Sequence, residues 1–216
     1  MFDFAQARTN MIDSQLRPNG ITDSRIFEAF ESIHRESFVP DAARSLAYMD
    51  GDVALGGARN LVSPMGFAKM VNAADLKSTD KVLEIGAGTG FGAAVLAQLA
   101  GHVVAVESDA QLMAVARENL KDKVNVLLSE NSLPEGCSKN APYDVIIISG
   151  QVESVPEALF SQLSEGGRLI AAVGSGSLAR GCVWTRSGAT HTQRYLFDIS
   201  IATLPGFEKL RSGFAF

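Results

Sequence analysis

The stretch that most constrains this chain is Val82-Leu83-Glu84-Ile85-Gly86-Ala87-Gly88-Thr89-Gly90, with Glu107 closing the next apolar run. Val82 to Ile85 reads as a buried parallel strand. The glycines after it let the backbone turn sharply and approach a ligand that a Cβ would push away. From Phe91 the pattern becomes helical, with Ala93, Ala94, Leu96, Ala97 and Leu99 on its small and apolar faces. Val103 to Val106 forms a second strand ending at Glu107. Strand, glycine turn, helix and strand make a nucleoside-binding half-fold, in which the Glu107 carboxylate stands where ribose hydroxyls can donate to it.

Spacing alone does not name the nucleoside. The glycines fall at 86, 88, 90 and 92, with Phe91 where a dinucleotide fingerprint expects its third Gly or Ala. The frame Gly88, Gly90, Ala93 fits a looser form of that fingerprint, so NAD stays open on spacing. Glu84 tilts the reading. A carboxylate at the strand end repels a pyrophosphate and suits a ligand carrying an ammonium and a sulfonium. That ligand is S-adenosylmethionine. The expected donor-side residues are Glu84, Gly86, Ala87, Gly88 and Gly90 in the turn, and Glu107 with Ser108 at the second strand end. Glu130 and Asn131 close the third strand, where an adenine amino group would lie.

The 216 residues suit one α/β unit with an added element. A helical N-terminal segment over 1–78 is expected to pack on an S-adenosylmethionine-binding core over 79–216. A net charge of −5 argues against a broad phosphate-binding surface, so no nucleic-acid partner is expected. No run approaches the roughly 18 apolar residues of a membrane span, and the first residues are not a signal peptide, so the expectation is cytoplasmic. Cys137 and Cys182 lie in unrelated contexts and the three histidines are dispersed; neither a disulfide nor a metal site is expected.

Along the chain, residues 3–17 carry a helical apolar stripe ended by Pro18-Asn19-Gly20, and Thr22 or Asp23 caps a second helix through Ile33. Residues 37–66 are irregular. A helix follows from about Gly66 to Ala74, and Asp109 caps another running to Leu120. Further strands are expected at Val124–Leu128, Tyr143–Ile148 and Leu169–Val173, with a helix over Val155–Leu163. Gly181–Arg186 and His191–Thr203 read as an antiparallel hairpin added to the parallel sheet. The fold class is therefore a Rossmann-like doubly wound, mostly parallel sheet with a C-terminal hairpin and an N-terminal helical extension. Asp144 reads as a loop anchor, and Ser149-Gly150-Gln151 leaves room for substrate at the reactive edge of the sheet.

This layout resembles the class I methyltransferases. In more detail the chain resembles the protein-L-isoaspartate O-methyltransferase family. The likeness runs through Met11-Ile12-Asp13-Ser14-Gln15-Leu16, Gly20-Ile21-Thr22-Asp23, Phe38-Val39-Pro40 and Ala47-Tyr48-Met49-Asp50. It continues through Val82 to Leu96, Ala141-Pro142-Tyr143-Asp144, Val155-Pro156 and Gln162-Leu163 with Gly166-Gly167-Arg168-Leu169. It implies methyl transfer from S-adenosylmethionine to a protein or peptide carboxylate. It places the donor against Glu84, Gly86, Gly88 and Gly90, the ribose on Glu107, and adenine near Glu130, where the family usually has aspartate.

The likeness breaks before Pro64. The family reads Gln-Thr-Ile-Ser-Gln-Pro there, with its serine at the substrate carboxylate; this chain reads Arg59-Asn60-Leu61-Val62-Ser63-Pro64, with Val62 in the serine's place. Arg59, Asn60 and Ser63 are the candidate replacement donors, and Arg59 has the fork that fits a carboxylate. Residues 201–207 are only loosely family-like. Three functions follow: an isoaspartyl methyltransferase with an altered acceptor loop, a methyltransferase of the same fold with another acceptor such as a small molecule, or a non-catalytic donor-binding protein. An NAD oxidoreductase is a fourth.

Overall fold

The computed structural model describes residues 2–207. Helix α1 (Phe4–Met11) is capped by the Asp3 carboxylate and widens into one π-helical turn over Ile12–Leu16. Pro18, with no N–H to continue a ladder, stands in the 3₁₀ turn that follows. Helix α2 (Ser24–Ser32) is capped by Asp23 and buries Ile26, Phe27 and Phe30. Within the irregular region lies a small antiparallel ribbon, β1 (Val53–Gly56) and β2 (Arg59–Leu61), separate from the main sheet. Helix α3 (Pro64–Ala74) then begins with Ser63 at its N-cap and proline in the first turn.

The main sheet is built from β3 (Lys81–Ile85), β4 (His102–Glu107), β5 (Val126–Glu130), β6 (Tyr143–Val152), β7 (Leu163–Ser175), β8 (Leu178–Ser187) and β9 (Thr190–Ile199). Their order is β5-β4-β3-β6-β7-β8-β9. The pairs from β5 to β7 are parallel, and β7–β8 and β8–β9 are antiparallel. The expected fold class is what the chain adopts. The chain winds outward from β3 in both directions, so the carboxyl ends of β3, β4 and β6 meet where the strand order reverses, the position where open α/β sheets bind ligands.

Side chains alternate between two apolar layers, as the period of a strand requires. Val82, Val103, Val145 and Ile147 pack under α1 to α3, helix α4 (Phe91–Leu99) and helix α5 (Ala110–Asn119). Leu83, Ile85, Val104, Ile146 and Ile148 face the other way, onto Leu133, Leu159, Trp184 and Leu204. Phe91 joins the N-terminal segment to this core. Its ring meets Phe30 edge-on at 5.8 Å and Phe38 at 5.6 Å, and the fully buried Arg35 guanidinium lies 4.7 Å from its centre.

Four sequence expectations shift. The third strand starts later and runs to Glu130, because Val124 stands fully exposed in a turn and β5 is an edge strand. The helix expected over Val155–Leu163 is a single turn, α6 (Glu157–Phe160), since Leu163 already belongs to β7. Strand β6 continues past Ile148 to Val152, and β7 extends at both ends, from Leu163 to Ser175. The hairpin ends at Ile199; residues 202–204 turn away and bond the end of β6 through Gln151 N–H to Ala202 (2.9 Å) and Leu204 N–H to Gln151 (2.7 Å).

Candidate active site

Glu84 sits in the central strand, 1% exposed, with Ala105 and Ile147 as its register neighbours. Its side chain reaches the first turn of α4. One carboxylate oxygen, Oε1, accepts from the Ser149 hydroxyl at 2.7 Å, and Oε2 is buried with no partner. Burial pushes its pKa up to about 7. The Ser149 hydrogen bond, Arg59 and the Ala93 N–H oppose that rise, while the Glu107 charge adds to it. Gly92 makes this position possible: a Cβ there would lie 1.9 Å from Glu84 Oε1. A positive charge brought against the unpartnered oxygen would favour the ionised form.

The turn after β3 is shaped by Gly86, Gly88 and Gly90, at φ of 84°, 57° and 96°. Side chains other than glycine rarely take such values. Gly86 and Ala87 donate back to Val106 of β4, which folds the turn over the end of the neighbouring strand. There Glu107, fully buried, gathers donors. Its Oε1 accepts from Ser108 N–H (2.8 Å) and Asp109 N–H (3.0 Å), and Oε2 from Gly88 N–H (2.7 Å). Arg59 Nη1 completes the set at 2.5 Å from Oε1, in an ion pair that is itself buried.

The other expected donor-side residues stand at the rim. Ser108 is exposed and contributes its backbone. Glu130 lies beside Glu107 in register but is half exposed and paired with Arg117 at 3.4 Å. Asn131 is exposed and bonds Ser129 and Gly136. The acceptor-loop candidates separate. Asn60, beside Val62 and Glu84, lines a cavity of about 20 Å³. Ser63 lines a different and larger cleft of about 620 Å³, with Asp50, Asp52 and Lys69. The Ser63 hydroxyl accepts from Gly66 N–H as the cap of α3, and its N–H donates to Asp52. Arg59 does not face that cleft; it lies on the donor side. Val62 and Ser63 thus form a wall between two recesses. Arg35 fixes that wall by donating to the Val62 carbonyl at 2.6 Å.

Asp144 anchors structure by accepting from Lys81 N–H and the Ser164 hydroxyl. Both cysteines are free and buried. No group of acidic, histidine and cysteine side chains able to hold a metal occurs among the described residues. Sequence reasoning missed three contacts: Glu84 with Ser149, Arg59 with Glu107, and Leu204 over Gly86, where a Cβ would come within 2.9 Å of it. None leaves a periodic signal, because each joins residues far apart in the chain.

The profile of the protein-L-isoaspartate(D-aspartate) O-methyltransferase family matches residues 6–199. The chain belongs to that family. Methyltransferases of this family use S-adenosylmethionine, which removes the dinucleotide reading. A protein-L-isoaspartate O-methyltransferase of Koribacter versatilis is 41% identical over 179 residues, covering 81% of this chain and 80% of that one. A second, of Marinobacter nauticus, is 38% identical across 95% of this chain and 96% of its own length. A solved protein-L-isoaspartate O-methyltransferase superposes with a TM-score of 0.79 at 26% identity, covering 92% of this chain and 66%, just under two thirds, of that one. The family match takes in both the main sheet through Ile199 and most of the N-terminal helical segment with the Val62–Ser63 wall.

Proposed function

We propose that this protein transfers the methyl group of S-adenosylmethionine to an isoaspartyl carboxylate of a damaged protein or peptide, in the cytoplasm. The observation that carries the reading is the family match over residues 6–199, which extends beyond the donor-binding core into the acceptor side. No helix among the described residues is long and apolar enough to cross a membrane.

In this reading Glu84 is the counter-charge for the donor's cationic end, and its partnerless Oε2 is the receiving atom. Gly86, Ala87, Gly88 and Gly90 allow close backbone approach, while Glu107 with Ser108 takes the ribose and Glu130 with Asn131 the adenine edge. The donor supplies a methyl group on a sulfonium that is its own leaving group. The protein therefore needs no general base for a carboxylate, which is already ionised at neutral pH. Its work is alignment and exclusion of water. Val62 supplies an apolar wall beside Glu84, with Asn60 among the groups on one side of it and Ser63 on the other.

Val62 also motivates a second reading, the same chemistry on a different acceptor, because a valine side chain cannot donate to a carboxylate. Incubation with labelled S-adenosylmethionine and an isoaspartyl peptide separates the two. Base-labile methyl ester on that peptide, and none on its normal aspartyl counterpart, is the expected result. Donor binding without ester at high enzyme concentration overturns isoaspartyl specificity and leaves the second reading.

A further inference from the structure

We propose that Arg59 is a displaceable occupant of the ribose subsite, so that the donor binds only by driving the guanidinium off Glu107. The inference rests on the S-adenosylmethionine reading above. Glu107 has two oxygens, and both are engaged: Oε2 by Gly88 N–H, and Oε1 by two backbone donors and Arg59 Nη1 at 2.5 Å. A ribose diol donating to this carboxylate competes with Arg59 for the same lone pairs. The second guanidinium nitrogen lies over the glycine turn, 3.2 Å from where a Gly86 Cβ would stand. Arg59 therefore covers two of the surfaces a nucleoside would use.

Anchorage points the same way. Glu107 belongs to β4 of the main sheet and is held there by three backbone donors. Arg59 belongs to β2, a three-residue strand paired only with β1, with a bulge between Ala54 and Gly56. Moving it breaks no bond of the seven-stranded sheet. Glu107 is thus neutralised by the protein's own chain, and the apparent donor affinity is scaled down to the fraction of molecules in which Arg59 has left the carboxylate.

Calorimetric titration with S-adenosylhomocysteine tests this on the full chain and on Arg59→Gln, which keeps a polar side chain without the charge. The expected result is binding at least tenfold tighter in the variant. Equal or weaker binding by the variant, with the native protein still binding, overturns the displacement and leaves the donor reading intact. If neither form binds, both fall. A second measurement needs no altered protein beyond a resonance assignment from Arg59→Lys. In ¹⁵N-arginine spectra of the native protein, the Arg59 Nε–H is expected to exchange slowly without ligand and to move to a solvent-exposed, rapidly exchanging position when S-adenosylhomocysteine is added. A signal unchanged at saturation overturns the proposal.

Discussion

Replacing Glu84 by glutamine should change how the stability of the ligand-free protein depends on pH. The folded pKa of Glu84 is pushed up to about 7 from an ordinary 4.5, chiefly by burial. One pKa unit is worth about 1.4 kcal/mol, so about 3 kcal/mol is linked to this side chain. The sign follows from proton counting. Between the two values the folded state holds a proton that the unfolded chain has released, so stability falls as pH rises. The contribution is complete below about 4.5 and gone above about 7. Between pH 5 and pH 8 about 2.5 kcal/mol of it disappears. Glutamine cannot ionise, and its carbonyl can still accept from Ser149. Its amide nitrogen falls where Oε2 has no partner, which adds a cost of about 1–3 kcal/mol at every pH. That offset is constant and cancels when the pH dependence is compared. Asp52, whose pKa burial also raises, titrates in both proteins and cancels too. Urea unfolding of native protein and Glu84→Gln at pH 5, 6, 7 and 8 reads the difference directly. The native protein should lose about 2.5 kcal/mol relative to the variant across that range. Parallel curves, with the same gap at pH 5 and pH 8, would refute the assignment of a raised pKa to this buried carboxylate.

Gly92→Ala sets a helix-propensity gain of about 1 kcal/mol against a Cβ placed 1.9 Å from Glu84 Oε1. The carboxylate is held by Ser149 and only about 20 Å³ of free space adjoins it, so overpacking wins. We expect a net loss of about 1–2 kcal/mol, read as a fall of roughly 3–6 °C in Tm; an unchanged Tm would mean the two groups are not in contact. Val62→Ser restores a hydroxyl at the wall beside Glu84. If the acceptor is an isoaspartyl carboxylate, kcat/KM on such a peptide should rise about tenfold to a hundredfold, from a charged hydrogen bond worth about 1.5–3 kcal/mol. Unchanged kcat/KM would show that position 62 does not meet the acceptor.

Much of the architecture was legible because burial writes a pattern into sequence. The run Val145 to Ile148 announces a strand covered on both faces, and Asp23 and Asp109 stand where helix caps are found. The short ribbon over residues 53–61 was not legible. Its two strands hold seven residues between them and lack an alternation long enough to read. The side-chain pairings of the site were hidden for another reason. Arg59 and Glu107 are 48 residues apart, and nothing in the turn-rich stretch Gly56 to Asn60 distinguishes a buried guanidinium from a solvated one. Gly92 looked like one more member of a glycine motif, yet it differs from Gly86, Gly88 and Gly90. It sits inside α4 without a positive φ, and its role is the space it leaves for another residue's carboxylate.

The placement of Glu84 also bears on how the sheet finds its alignment. Leu83 and Ile85 point into one apolar layer, and Val82 and Glu84 into the other. A parallel strand of aliphatic residues could slide by one step against its neighbours and lose little hydrophobic contact. Here such a slip would thrust the carboxylate into the layer of Leu83, Ile146 and Trp184, away from Ser149 and the first turn of α4, where an unmatched charge costs several kcal/mol. The acid therefore acts as a keying pin for the central strand. Misregistered assemblies are penalised in the strand that leads into the glycine turn.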